Sequence, residues 1–184
     1  LPSVAHDMIR ALARVNVKRI ETIEAKIDHD LLAFVTQIKE KLRKAGRGVG
    51  RWAKEFHRWM TSFDVEDPAM ILMLRKAVHL ILDALRDLEQ ALCDKALEHK
   101  WTIEMMRTHG QDAEPSTFGH QLLVHAMAIH RSIKRLERAL VEELSEAKMS
   151  GAVGNFGDAD PKREAIALKI LGLRPAAVES QILQ

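Results

Sequence analysis

Two long runs of apolar residues, spaced alternately three and four apart, are the feature that most constrains this chain. The first run is Ile71, Leu74, Val78, Ile81, Leu85, Leu88 and Leu92, and the second is Leu122, Ala126, Ile129, Ile133, Leu136, Leu140 and Leu144. This spacing places each run on one face of an α-helix. Each helix of about 30 residues would span about 45 Å. Rods of that length are predicted to pack almost parallel or antiparallel in an elongated bundle.

Glycine and proline divide the sequence into helical runs. Interruptions fall at residues 46–50, 110–115 and 151–157, and such clusters mark loops. Tyr is absent and Ala, Leu, Glu, Lys and Arg are abundant, which favours an all-α fold. The pattern predicts a small amino-terminal helical domain over residues 1–62, followed by part of the bundle over residues 63–184.

Local signals predict where the helices begin and end. The small domain is expected to contain helices over residues 8–27 and 30–44, and a shorter helix is expected near residues 160–171. Asp67 is a good N-cap and Pro68 needs no N–H at the first helical position, so the first long helix is expected to begin there. These helices cannot cover one another's apolar faces, and we therefore expect further helices or partner chains in an oligomer.

The composition favours neither a nucleic-acid nor a membrane partner. Lys and Arg number 28 against 26 Asp and Glu, a formal net charge of +2. The longest apolar run, residues 69–74, is far shorter than the roughly 18 residues that span a bilayer, and the first residues lack a secretory pattern. Cys93 is the only cysteine, which excludes an internal disulfide and fits a cytoplasmic protein. The chain does not begin with Met, and we expect it to be a piece of a longer product.

Three polar clusters lie at the interruptions, where binding groups on a helical scaffold are often found. The first, residues 107–119, places Thr108 and His109 ahead of a long helix whose N-terminal amides favour anions, and a histidine can exchange protons near neutral pH. On residue types alone, a surface turn with an N-cap at Ser116 or Thr117 is the more frequent arrangement. Residues 57–67, taken alone, are better explained by helix capping at Asp64 or Asp67, and residues 28–30 by the start of a helix.

Taken together, these segments resemble the adenylosuccinate lyase family of the fumarase and aspartase superfamily. RTHGQDAEPSTFG (107–119) is similar to the second conserved region of that family, and HRWMTSFDVED (57–67) resembles the first, usually written HxGLTSxDxxDTA. AKIDHDLLAFVTQIKEKL (25–42) is similar to the HDxxAF segment. KMSGAVGNFGDADP, KILGL and ESQILQ resemble the SGAVG, KLGL and TQxxQ stretches. The segments occur in family order from about residue 20 to residue 184.

The resemblance implies a role for each matching residue. His109 would be the general acid that protonates the leaving nitrogen, and Thr108, Thr61, Ser62 and Gln181 would hold the carboxylates of the succinyl group. His29 would lie near the nucleotide and the acid, with Asp30 as its companion, and His57 would support binding. No cofactor or metal is implied. The substrates would be adenylosuccinate, which yields AMP and fumarate, and the succinylated aminoimidazole carboxamide ribotide.

The implied chemistry suits these residue types. Removal of a proton beside a carboxylate gives a doubly negative aci-carboxylate, which hydroxyl and amide donors stabilise without adding a counter-charge. Expulsion of the nitrogen then needs a donor whose pKa lies near the working pH, as an imidazole can provide.

The sequence also departs from the family pattern. Trp59 and Met60 replace its Gly-Leu, Pro68 replaces a threonine, and the basic stretch over residues 43–52 is longer than usual. That stretch could contact phosphate, although most such loops are only solvated. The serine-rich third region, which carries the general base, is not found. In the family three subunits of a homotetramer build each site, so this chain is expected to be a fragment that supplies two of the three regions.

Other functions fit the sequence less well. Argininosuccinate lyase is the nearest alternative within the superfamily, although the RTHG and HD motifs favour the purine enzyme. A helical interaction module without catalysis is an alternative from another class. His120, His125 and His130 are five residues apart, a spacing that turns each away from the last on a helix and does not suit a metal. Residues 46–50 lack the Gly-Lys-Ser/Thr of a P-loop.

Overall fold

The computed structural model describes residues 3–157 and 159–183. Over these residues the helices are α1 (Ser3–Leu12), α2 (Val17–Ile27), α3 (Asp30–Lys44), α4 (Arg47–Gly50), a 3-10 turn (Ala53–Glu55), α5 (Phe63–Glu98), α6 (Phe118–Glu142) and α7 (Pro161–Ile170). The strands are β1 (Ile103–Thr108), β2 (Gln111–Thr117), β3 (Glu146–Ala147) and β4 (Arg174–Pro175). The prediction of a mainly helical fold is confirmed.

The amino-terminal helices match the prediction in part. The helix expected over residues 30–44 is confirmed as α3, whereas the single helix expected over residues 8–27 is wrong because α1 and α2 are separate. Asn16 causes the break, since its side-chain oxygen accepts a hydrogen bond from the Arg19 amide at 3.1 Å and starts α2. Such a cap satisfies an amide that has no partner within the helix.

The chain divides into two units. The first comprises Leu1–Asp67, Lys148–Leu171 and Pro175–Gln184, and the second comprises Pro68–Ala147 and Gly172–Arg174. The first unit has its core where α3 meets α4 and the 3-10 turn, around Ile38, Leu42, Val49 and Ala53. Burial of these side chains contributes about 25 cal/mol per Å² of apolar surface.

The second unit is built on α5 and α6, which run antiparallel. The Arg75 guanidinium near the start of α5 donates to the carbonyl of Leu144, just past the end of α6, at 2.8 Å. Further along, Arg86 pairs with Glu137 at 3.0 Å, and the His130 imidazole lies 2.8 Å from the Glu89 carboxylate. A cation at the last carbonyls of a helix also complements the helix dipole.

The long helices leave much apolar surface uncovered. Leu82 and Ile133 are only 1% and 4% exposed, whereas a set of large apolar side chains on the same two helices is 45% to 68% exposed: Met73, Leu80, Leu88, Leu97, Val124 and Val141. Exposed large apolar side chains in such number on two long helices are typical of helices that pack against further chain. No helix within residues 3–157 and 159–183 has both the length and the apolar character needed to cross a membrane.

The first long helix begins earlier than the sequence indicated. The prediction that Asp67 caps the first long helix is wrong, because α5 begins at Phe63 and contains Pro68. The Asp67 carboxylate instead accepts a hydrogen bond from the Leu183 amide at 2.8 Å. The second long helix begins as expected, with the Thr117 hydroxyl accepting from the His120 amide at 3.1 Å.

A β-hairpin precedes α6, at a place where the sequence predicted a loop. β1 and β2 pair antiparallel, with Thr108 opposite Gln111 and His109-Gly110 at the tip. Both tip residues have positive φ, 54° and 73°, as a two-residue type I′ turn requires. Histidine and glycine both tolerate this backbone.

Candidate functional site

Thr61 and Ser62 directly precede α5, at the positive end of a long helix. The Ser62 carbonyl accepts the amides of Val65 and Glu66 at 3.0 and 3.1 Å. The Asp64 carboxylate reaches back to the Thr61 amide at 2.9 Å, in the manner of a capping box. Two hydroxyl-bearing residues at a helix N-terminus form an environment that favours an anion.

Asp64 joins this turn to a distant loop of the same unit. Its side chain is fully buried and accepts hydrogen bonds from the Lys148 ammonium at 2.5 Å and from the Gly151 amide at 3.1 Å. Lys148 is also fully buried. Burial of a charge is tolerated only when it is paired and hydrogen-bonded, and here each charge has a partner.

The segment before Thr61 has an unusual backbone. His57 and Trp59 have φ values of 61° and 62°, a left-handed conformation that is strained for a bulky side chain. The glycine that the lyase pattern carries at the position of Trp59 suits this backbone. Trp59 adopts it here, and the guanidinium groups of Arg58 and Arg163 lie 4.0 and 4.8 Å from its ring centre. Such cation–π contacts contribute about 0.5–1 kcal/mol each at exposed sites.

A cavity of about 580 Å³ lies beside this segment, within the first unit. Trp59, Met60, Arg163 and Glu164 are among its lining residues, and its volume is in the range of small-molecule sites. The His57 Nε2 atom is buried and has no hydrogen-bond partner among the residues that the structure describes. Burial lowers the pKa of His57, and the backbone of Thr61 partly offsets this effect. His57 is therefore a neutral imidazole near pH 7.

His29 and Asp30 begin α3 near the same turn of α5. The His29 Nδ1 atom accepts the Leu32 amide at 3.3 Å, so the imidazole caps the helix. Burial raises the pKa of Glu66, and the negative charge of Asp30 raises it further. Glu66 belongs to the first turn of α5, which directly follows Thr61 and Ser62.

The segment that contains Gln181 is held against the rest of the first unit at two points. Two residues beyond Gln181, the Leu183 amide donates to Asp67. On the other side, Gly154 approaches Glu179 so closely that a Cβ atom on Gly154 would lie 2.3 Å from the Glu179 carbonyl oxygen. Gly154 also has a φ of 75°, and both facts require glycine. The structure thus brings His57, Thr61, Ser62, His29, Asp30 and Gln181 into one unit.

Glu164 of α7 lies against this carboxyl-terminal segment. It is 5% exposed and accepts the Met149 amide at 2.6 Å. Burial raises the pKa of Glu164, and the neighbouring Glu179 carboxylate raises it further. A carboxyl group with a raised pKa favours folding when protonated, so this contribution is fully present below its ordinary pKa of 4.5 and is lost as pH rises through the folded-state pKa.

Glu164→Gln is therefore expected to flatten the dependence of stability on pH. The glutamine oxygen can still accept the Met149 amide, but no charge develops as pH rises. Relative to wild type, the variant gains melting temperature at pH 7 and loses that advantage towards pH 4. Circular dichroism at a series of pH values measures this, with exposed Glu143→Gln as the charge-matched control. An unchanged pH profile in Glu164→Gln would contradict the assignment.

Thr108 and His109 belong to the second unit, where the hairpin presents both to solvent. His109 occupies the first position of the turn, and the Arg107 guanidinium lies 3.1 Å from the Asp112 carboxylate across the strands. At the foot of the hairpin, the Ser116 hydroxyl lies 3.0 Å from the His120 Nδ1 atom. His120 and His130 thus have protein partners, Ser116 and Glu89.

Two residues of the candidate site in the first unit, Asp64 and Lys148, were not predicted from the sequence. Asp64 was interpreted only as a possible cap, and Lys148 was not singled out. The TSxD pattern and the KMSGAVG stretch carry both residues, but only the fold shows that they meet.

Comparison with known proteins finds similarity along nearly the whole chain. A family model described as Lyase matches residues 3–182. Among curated proteins, the adenylosuccinate lyases of Synechocystis sp. and Thermotoga maritima are each 38% identical over 183 residues, which is 100% of this chain and 41% of each relative. The Helicobacter pylori adenylosuccinate lyase is 38% identical over 97% of this chain and 39% of its own length. The chain thus spans about two fifths of these relatives.

Solved structures agree in fold. A fumarate lyase from Mesorhizobium sp. BNC1 superposes with a TM-score of 0.83 at 26% identity, covering 97% of this chain and 42% of that one. The 3-carboxy-cis,cis-muconate lactonizing enzyme from Pseudomonas putida gives 0.83 at 27% identity, covering 97% and 40%.

Proposed function

The chain belongs to the lyase family whose model it matches, and on that premise we propose that it is part of an adenylosuccinate lyase subunit. The reactions are elimination of fumarate from adenylosuccinate, giving AMP, and from the succinylated aminoimidazole carboxamide ribotide in purine biosynthesis. The observation that carries the proposal is the 38% identity to adenylosuccinate lyases along the entire chain. The arrangement of the first unit supports it.

Thr61 and Ser62 are proposed to bind a carboxylate of the succinyl group. Their position at the start of a 36-residue helix favours an anion, and hydroxyl donors there stabilise the aci-carboxylate as its second charge develops. Gln181 and Thr108 are proposed to contribute further donors. Asp67 supports the placement of Gln181, because it anchors the Leu183 amide nearby.

His109 is proposed to be the general acid that protonates the leaving nitrogen. The turn at His109-Gly110 presents the imidazole at the end of a hairpin, free of the helix that follows. His29, with Asp30 beside it, is proposed to lie near the nucleotide and this acid. His57, in the segment that precedes Thr61, is proposed to support binding. The general base is proposed to come from the part of the protein that this chain does not span.

A homotetramer in the cytoplasm is the proposed working form. Exposed apolar side chains along α5 and α6 support burial against further helices and other subunits. In this arrangement the first and second regions of one active site come from different subunits, so Thr61 and His109 meet across an interface.

The test is an assay of the complete subunit with adenylosuccinate and, separately, argininosuccinate. We expect AMP and fumarate in equal amounts from the first and no fumarate from the second. Fumarate from argininosuccinate alone would identify the sister lyase. A folded complete protein that releases fumarate from neither substrate would support the non-catalytic helical module and overturn the proposal.

A further inference from the structure

We propose that Lys148 is a positioning residue for the hydroxyls of Thr61 and Ser62, acting through Asp64. The inference rests on the proposed function, because it concerns the site where the succinyl carboxylate binds. Lys148 itself does not touch substrate, since its side chain is fully buried within the first unit.

Asp64 is the centre of the arrangement. Its Oδ1 atom lies 2.5 Å from the Lys148 ammonium, and its Oδ2 atom accepts the amides of Thr61 at 2.9 Å and Gly151 at 3.1 Å. One carboxylate therefore holds the residue that begins the anion-binding turn and the loop that follows Lys148. The Lys148 ammonium also donates to the Gly151 carbonyl at 3.1 Å, which closes the loop around the pair.

The contacts explain why a cation is needed at this place. A buried carboxylate that accepts only neutral amides would carry an uncompensated charge, which is costly in a protein interior. Without Lys148, Asp64 would move towards water or rotate, and the Thr61 amide would lose its acceptor. Displacement of the turn by even about 1 Å is enough to weaken alignment of donors on a substrate severely.

A lysine that only stabilised the fold would behave differently. Its removal would lower the melting temperature, but the molecules that stay folded would bind substrate normally. A positioning role predicts weaker binding of the dicarboxylate in folded protein. Measuring both the melting temperature and the substrate affinity of a variant therefore distinguishes a stabilising role from a positioning role.

The test uses the complete subunit with Lys148→Met and the double variant Asp64→Leu/Lys148→Met. The double variant removes both buried charges and nearly keeps the number of side-chain heavy atoms, so it keeps the test decisive if the single variant does not fold. Leucine has the branched shape of aspartate but no oxygen, so neither the Thr61 amide nor the Gly151 amide keeps a side-chain acceptor. The control is Lys95→Met, which removes an exposed lysine paired with Glu98 at 2.6 Å.

KM for adenylosuccinate, kcat and inhibition by fumarate are measured below the melting temperature of each variant. We expect the double variant to recover stability relative to Lys148→Met, while both raise KM and the fumarate inhibition constant about tenfold or more. Lys95→Met should match wild type. Wild-type KM and fumarate inhibition in a folded double variant would overturn the positioning role. An inactive wild-type protein would instead refute the lyase proposal.

Discussion

Replacing His109 with asparagine or glutamine in the complete subunit is expected to lower kcat by roughly two to four powers of ten, as loss of a general acid does. Neither amide can protonate the leaving nitrogen. Asparagine is the sharper choice because it tolerates left-handed backbone, and His109 has a φ of 54°. The hairpin tip should therefore survive the substitution, and KM should change less than kcat.

Steady-state assays of fumarate release measure this effect. The control is His125→Gln, which removes an exposed imidazole from α6 and should leave kcat unchanged. Circular dichroism confirms that each variant is folded. Near-normal turnover in folded His109→Asn would refute the role proposed for this histidine.

The second large effect is expected from Gly119→Ala. A Cβ atom at Gly119 would lie 2.4 Å from the Ala96 carbonyl oxygen and 2.9 Å from the backbone of His99. The Gly119 amide also donates to the His99 carbonyl at 3.1 Å. Because all of these atoms are backbone, no side chain can rotate away, and the start of α6 must move. Overpacking of this kind costs about 1–3 kcal/mol of folding free energy.

Thermal or urea unfolding measures that cost. Gly48→Ala is the matched control, because a Cβ atom there meets nothing within 4 Å. It should leave the unfolding free energy almost unchanged, and an equal loss in both variants would contradict the packing argument. Since α6 follows directly from the hairpin, Gly119→Ala is also expected to lower kcat by displacing Thr108 and His109.

The spacing of apolar residues predicted the long helices correctly. The stripes from Ile71 and from Leu122 predicted α5 and α6, because a three-four spacing leaves no other regular structure that collects the apolar side chains on one face. Local signals were less reliable. Asp67-Pro68 has the form of a helix start, yet α5 already begins at Phe63, since the carboxylate of Asp64 and the carbonyl of Ser62 complete an earlier first turn.

The hairpin was missed for a different reason. Strands are recognised in a sequence by alternation of apolar and polar residues, but β1 reads IEMMRT and β2 reads QDAEPST, and every residue of both strands is exposed or half-buried. The sequence of these strands therefore shows no sustained alternation of apolar and polar residues. The signal that was present is His109-Gly110, a pair able to adopt positive φ between two short runs.

The candidate site was predicted as a set of motifs, and its physical connections come from the fold. Resemblance pointed to Thr61, Ser62 and Gln181, but it gave no reason why Asp64 and Lys148 should meet 84 positions apart. Pairing of two buried charges depends on the path of the backbone between them. Single residues such as Lys148 have no periodicity, and sequence alone cannot show that they are buried.

The most direct test of the account mixes two inactive forms of the complete subunit, one with Ser62→Ala and Thr61→Ala, the other with His109→Asn. The forms are unfolded together and refolded at equal concentration, and fumarate release is measured. If Thr61 and His109 meet across subunits, random assembly gives about a quarter of the sites both intact regions, and activity returns to about that fraction of wild type. Mixed tetramers that stay as inactive as either parent would contradict the account.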